Sequence, residues 1–143
     1  MVLTLRPAGP ADLDACARVY CAAAAAAFPW MAPEERGAAQ FHESIRDEAL
    51  WLAEGPSGIA GFLSIYLPER FVHSLYVDPA CWRGGIGRAL AQLALDQCGG
   101  YAQLKCQEAN REACRFYVAT GWRPADWGWS PSGAWIRYVR QMR

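Results

Sequence analysis

Between Leu75 and Leu90 a segment rich in strand formers meets Asp78-Pro79. It then runs through Arg83-Gly84-Gly85-Ile86-Gly87-Arg88 into apolar residues at helical spacing. This is the pattern of a strand that enters a glycine turn, with the turn opening a helix. Glycine lets backbone approach a ligand closely. A helix start presents unpaired N–H groups and the positive end of its dipole. Arg83 and Arg88 add positive charge. The segment points to a phosphate-bearing ligand; the plainer alternative is a loop that needs glycine only to turn tightly.

Two nucleotide readings lose ground on the residues. A P-loop ends in Lys-Ser/Thr, which this segment lacks. In a dinucleotide fingerprint Gly85 and Gly87 fit the start, but the third glycine position holds Leu90, too large for close helix–strand packing. The loop also lies late in the chain, after strand candidates joined by short turns.

Around this segment the chain reads as a mixed α/β domain. Val2 to Arg6 is a strand, broken by Gly9-Pro10. Asp12 can cap a helix reaching about Phe28, with alanine at positions 22–27 favouring helix by propensity. After Pro29 and Pro33 a second helix is expected from about Glu34 to Asp47. Ala49–Glu54, Gly58–Tyr66 and Arg70–Val77 read as strands with short turns between them, hence antiparallel neighbours. A helix follows from Gly87 to Cys98, stopped by Gly99-Gly100, then a strand from Tyr101 to Cys106. Asn110 to Thr120 is a helix stopped by Gly121, and strands at about Arg123–Trp129 and Ala134–Arg140 close the chain. The order βααβββαβαββ implies a mostly antiparallel sheet of about seven strands, about four flanking helices and at least one crossover.

Composition narrows the function classes. At 143 residues one domain over positions 1–143 is expected, since domains run to ~100–200 residues. Hydrophobic residues make up 53% and charged residues 20%, which excludes a disordered charged tail. A formal net charge of zero leaves no whole-protein field to gather nucleic acid or anionic lipid, so neither is an expected partner. The apolar stretch from Ala15 to Phe28 is interrupted by Arg18 and falls short of the ~18–20 residues that span a bilayer. The N-terminus lacks the pattern of an export signal. Six cysteines are scattered through core-like patterns, so reduced thiols and a cytoplasmic location are expected. With no Cys-x-x-Cys pair and two histidines, no metal is expected.

The glycine segment resembles the acyl-CoA-binding motif of the GNAT superfamily of N-acetyltransferases, which reads Gln/Arg-x-x-Gly-x-Gly/Ala. Gly85 and Gly87 match its two small positions, and Trp82 stands where the family has Gln or Arg. Asn110-Arg111-Glu112-Ala113-Cys114-Arg115-Phe116-Tyr117, continuing to Gly121-Trp122, is similar to the family's Asn-x-x-Ala-x-x-Phe-Tyr-x-x-x-Gly-Phe. The opening Leu5-Arg6-Pro7-Ala8 with Asp12-Leu13 is also similar. The derived element order matches the family fold from end to end.

The resemblance implies an acetyl-CoA-dependent N-acetyltransferase acting on a primary amine of a small molecule or peptide. The family splays the strand ending at Val77 from the strand at Tyr101–Cys106, and the pantetheine arm lies in that gap. Backbone at Leu75, Tyr76 and Val77 would bind the arm and the acetyl carbonyl. N–H groups over residues 83 to 88, with Trp82 and Ala89 flanking Arg83, Gly84, Gly85, Ile86, Gly87 and Arg88, would hold the diphosphate. Tyr117 matches the family's general acid, the alternative being a core tyrosine. Asn110 can cap its helix or reach the pantetheine. His73-Ser74-Leu75-Tyr76-Val77 is similar to the His-x-Leu-x-Val run of aralkylamine N-acetyltransferases, where the histidine is linked to deprotonating the amine. Period-two alternation puts His73, Leu75 and Val77 on one face. Glu69 or water is the alternative base, and His73 the alternative pocket wall.

Phe28 and Trp30, with His73, are candidates for the acceptor pocket; of the seven tryptophans most are expected in the core. A homodimer is a family habit for which no residues here mark an interface. Two other functions stay open: a catalytically inactive acyl-CoA sensor or interaction module, and a cysteine-nucleophile acyltransferase using Cys81 or Cys114, for which no paired histidine is evident.

Overall fold

The structure, a computed structural model, describes residues 2–82 and 84–142, without the Glu35 side chain. Arg83, expected at the diphosphate, lies outside the described residues. The elements are β1 (Thr4–Pro7), α1 (Leu13–Ala27), α2 (Ala38–Ser44), β2 (Ala49–Gly55), β3 (Gly58–Tyr66) and β4 (Phe71–Val77). They continue with α3 (Ile86–Gln97), β5 (Tyr101–Gln107), α4 (Arg111–Ala119), β6 (Arg123–Ser130) and β7 (Gly133–Gln141). The order βααβββαβαββ is the one read from the sequence.

The strands form one sheet in the order β1-β2-β3-β4-β5-β7-β6. Short turns make β2, β3 and β4 antiparallel neighbours, while α3 carries the chain across so that β5 lies parallel to β4. Each face has its own core. Cys16, Val19 and Phe41 from α1 and α2 pack on Leu52 and Phe62. Leu90, Ala94 and Leu95 of α3 pack on Leu63, Ile65, Val72 and Leu104 of the other face, with Tyr117, Trp122 and Tyr138 in the same cluster. Each large apolar side chain so buried contributes about 1.5–3 kcal/mol.

Three local expectations are corrected. The second helix is not continuous from Glu34 to Asp47: a short 3-10 turn covers Pro33–Arg36, Gly37 is extended, and only Ala38–Ser44 is α-helical. Asp12 does not cap α1 with its side chain; its carboxylate accepts from the Gly9 N–H at 2.8 Å and pairs with Arg6 at 2.9 Å, tying β1 to the turn before α1. The tryptophans are mostly outside the core: Trp122 is buried, whereas Trp30, Trp82, Trp127 and Trp129 are exposed. Trp127 and Trp129 lie on β6, which ends the sheet and has β7 as its single strand neighbour.

No helix among the described residues is long and apolar enough to cross a membrane. The six cysteines are free thiols.

Candidate functional site

The site begins where two parallel strands separate. β4 and β5 pair at Phe71 with Gln103 and at Val72 with Leu104, and no further along. β4 runs on to Val77 and β5 to Gln107, with β3 and β7 holding their outer edges. The inner edge of β4 beyond Val72 therefore has no strand partner. Backbone polar groups inside a sheet demand partners, and an extended ligand with amide groups can supply them.

At the far end of β4 the chain turns into α3. Gly85 occupies the N-cap position with φ +80°, a left-handed conformation suited to glycine, and no side chain caps the helix. A Cβ built on Gly85 would meet nothing within 4 Å, so the turn is open on that side. The first amides of α3 lack intrahelical acceptors and suit an anion. Gly87 has a different reason: a Cβ there would lie 3.3 Å from the Phe116 ring, so it lets α3 approach α4. Of the motif's two small positions, one is conformational and the other steric. Gly84 and Arg88 are exposed on this turn, Ala89 is half-buried, and Ile86 is buried in the core beneath it.

Trp82 shows what replaces the family's polar residue. Its indole N–H donates to the Val77 carbonyl at 2.9 Å, so the ring is held over the end of β4. A hydrogen bond from a side chain is thus kept at this position, directed at the protein's own strand.

Tyr117 lies on α4, and burial pushes its phenol above the ordinary value of ~10. The groups that act on its hydroxyl are Cys106 on β5, Tyr76 on β4 and Cys114 on α4. The phenol sits in the core cluster with Cys106 of β5, and it stays protonated at neutral pH. Its ring is fixed edge-on by Trp122 at 5.9 Å and tilted against Tyr138 at 5.8 Å. Burial also raises the Tyr76 phenol and the Cys106 thiol. Cys106 and Cys114 have their sulfurs 3.7 Å apart. Asn110 caps α4, its Oδ1 accepting from the Ala113 N–H at 3.3 Å.

His73 departs from the expected alternation. The β3–β4 register passes from Ser64–Ser74 to Ile65–Val72, leaving His73 as the extra residue of a bulge. Val72, at odd spacing, joins the same core as Leu75 and Val77. His73 meets other groups: Nδ1 lies 2.6 Å from Glu48 Oε1, the ring stacks on Tyr66 at 6.4 Å, and Phe71 meets it edge-on at 4.9 Å. His73 stays beside the parting strands, directly after the last paired residue, Val72. Glu69, the weaker base candidate, is exposed in the turn before β4.

Phe28 and Trp30 meet edge-on at 5.7 Å after α1, Trp30 being exposed and Phe28 half-buried. The sequence reading missed Glu48, which adjoins no motif and reaches His73 only through the folding of β2, β3 and β4 against one another. Among the described residues no three His, Cys, Asp or Glu side chains are grouped to hold a metal ion.

Known proteins share this fold. Peptidyl-lysine N-acetyltransferase YiaC of Escherichia coli (strain K12) is 34% identical over 79 residues, covering 55% of this chain and 53% of that protein. The chain thus spans about half the length of that curated relative. The solution structure of apo-form YjaB from Escherichia coli superposes with a TM-score of 0.80 at 19% identity, covering 98% of each chain. The PaiA N-acetyltransferase from Thermoplasma acidophilum, in complex with coenzyme A, gives 0.78 at 15% identity, over 99% of this chain and 100% of that one. These two likenesses show the fold. The profile of the acetyltransferase (GNAT) family matches residues 18–122, a span that takes in the parting strands, the glycine turn and Tyr117. By that match, and with the sheet order and both motifs in place, the chain belongs to the GNAT family of acetyltransferases.

Proposed function

We propose that this protein transfers an acetyl group from acetyl-CoA to a primary amine by direct attack. The observation that carries the reading is the parting of β4 from β5 after Val72, with the buried Tyr117 phenol kept protonated in the core beside β5. Its likeness to a peptidyl-lysine acetyltransferase favours a lysine side chain in a peptide as acceptor. Small-molecule amines remain the other acceptor class.

Acetyl-CoA supplies a thioester-activated acetyl group. In this reading the open edge of β4 at Leu75, Tyr76 and Val77 pairs with the pantetheine amides. The amides at the start of α3, with Gly84, Gly85, Ile86, Gly87, Arg88 and Ala89 shaping the turn, receive the diphosphate; Trp82 flanks it. Asn110 holds the start of α4 and so the placing of Tyr117.

The residues then divide the proton work. His73 takes one proton from the ammonium of the acceptor, leaving the nitrogen lone pair free. The nitrogen bonds to the acetyl carbon, the carbon–sulfur bond breaks, and Tyr117 gives its proton to the departing sulfur. The second proton of the new amide nitrogen restores Tyr117, so the balance is one ammonium and one thioester giving one amide, one thiol and one proton on His73. Phe28 and Trp30 line the acceptor side, where aromatic faces suit the aliphatic stem and cationic head of a lysine.

The test is release of free thiol from acetyl-CoA in the presence of a lysine-containing peptide, compared with a panel of small amines. Amine-dependent release, with acetylated product, supports the reading. Binding of coenzyme A without transfer to any amine would favour the inactive sensor instead.

A further inference from the structure

We propose that Glu48 is a positioning residue that holds His73 with its Nε2 bare for the acceptor amine. This rests on the reading of His73 as base and deepens it.

The Glu48 side chain is 2% exposed; its Oε1 lies 2.6 Å from His73 Nδ1 as a close ion-pair contact, and among the described residues it makes no aligned hydrogen bond. A carboxylate so enclosed is costly. Burial raises its pKa, the nearby Asp47 raises it further, and His73 is what lowers it again. A well-packed apolar residue would serve a purely structural purpose as well or better. The histidine is placed differently: its side chain is 47% exposed, so the ring is reachable while one nitrogen is engaged.

Which nitrogen of an imidazole carries the proton is set by the bond the other makes. With Nδ1 held against the Glu48 carboxylate, Nε2 is the nitrogen left for the acceptor amine. Tyr66, stacked at 12° to the ring plane, and Phe71, at 74°, restrict the ring's rotation. The groups facing this pair are Glu48 and Asp47 before β2, Tyr66 at the end of β3 and Phe71 on β4. This is the logic by which a buried carboxylate orients a catalytic histidine, reached here across three strands.

Two variants and two readouts test it. In the wild type, nitrogen NMR of histidine-labelled protein at neutral pH should show His73 as the Nδ1–H tautomer, and Glu48→Leu should abolish that preference. In thiol release with acetyl-CoA and a lysine peptide, Glu48→Leu should lower kcat roughly 10²-fold, with KM for acetyl-CoA and thermal stability little changed. Glu48→Gln, which keeps the size and one side-chain oxygen, should retain more of the rate than Glu48→Leu. A wild-type His73 in the Nε2–H tautomer would overturn the inference without any assay of activity. If His73→Gln is crippled while both Glu48 variants keep the wild-type rate, the base reading stands and this inference alone fails. If His73→Gln keeps the wild-type rate, the base reading fails and takes the inference with it.

Discussion

Val72 faces Leu104 across the last parallel step between β4 and β5, and beyond that pair the two strands have only their outer neighbours. The consequence is an unpaired inner edge ending beside a helix start. Tyr117 approaches from α4, and His73 is the first residue past the parting.

Tyr117→Phe removes the proton donor and keeps the ring that packs on Trp122 and Tyr138. A general acid contributes roughly 10²–10⁴ in rate, so kcat should fall by at least about 10² while affinity for coenzyme A changes little. Because burial raises this phenol, the wild-type rate should not decline from loss of its proton until pH passes the ordinary phenol value of ~10. Steady-state kinetics across pH, with calorimetry for the cofactor, checks both parts.

Gly85→Ala should separate backbone strain from ligand contact. Gly85 and Gly133 both have positive φ and open space where a Cβ would stand. Alanine at either position should cost about 1–2 kcal/mol of stability from the left-handed conformation. Only at Gly85 should coenzyme A affinity also fall, by tenfold or more. Equal affinity losses, or none, would count against the diphosphate at this turn.

The Arg6–Asp12 pair gives a pH-dependent contribution to stability. The hydrogen bond from Arg6, and then that from the Gly9 N–H, lower the Asp12 carboxyl from its ordinary value of 3.8 to about 2. A depressed folded-state value means the contribution is present above the unfolded value and is lost as pH falls from about 4 towards 2. Asp12→Asn should flatten the stability profile in that window and leave it unchanged in shape near neutrality. Denaturant titrations at a series of acid pH values measure this.

Gly128→Ala should disrupt the β6–β7 hairpin, because a Cβ at Gly128 would overlap the Trp135 ring at Cζ2. Trp135 would have to move, releasing the Lys105 ammonium that now lies 4.3 Å from its ring. The expected cost is about 1–3 kcal/mol, read by thermal unfolding with a shift in tryptophan emission.

Much of this architecture was legible in the sequence. Gly55-Pro56-Ser57-Gly58 and Leu67-Pro68-Glu69 marked turns, Gly99-Gly100 and Gly121 marked helix ends, and alternation marked the strands. The segments carrying Gly85 and Tyr117 were visible because their residues adjoin in the chain. What was not legible depends on contacts between distant segments. The bulge at His73 is a mismatch of register between β3 and β4, and neither strand's own pattern shows it. Glu48 meets His73 only after β2, β3 and β4 have paired. The tryptophans read as core by residue type, yet Trp127 and Trp129 fall on a strand at the sheet's edge, a matter of strand order rather than hydrophobicity.

The most direct measurement is mass spectrometry of a lysine-containing peptide and the small-amine panel incubated with acetyl-CoA and either wild-type protein or Tyr117→Phe. Enzymatic acetyl transfer by Tyr117 predicts an acetylated amine with the wild type and little with the variant. No acetylated product from any amine with wild-type protein that binds coenzyme A, or equal product from both proteins, would contradict it.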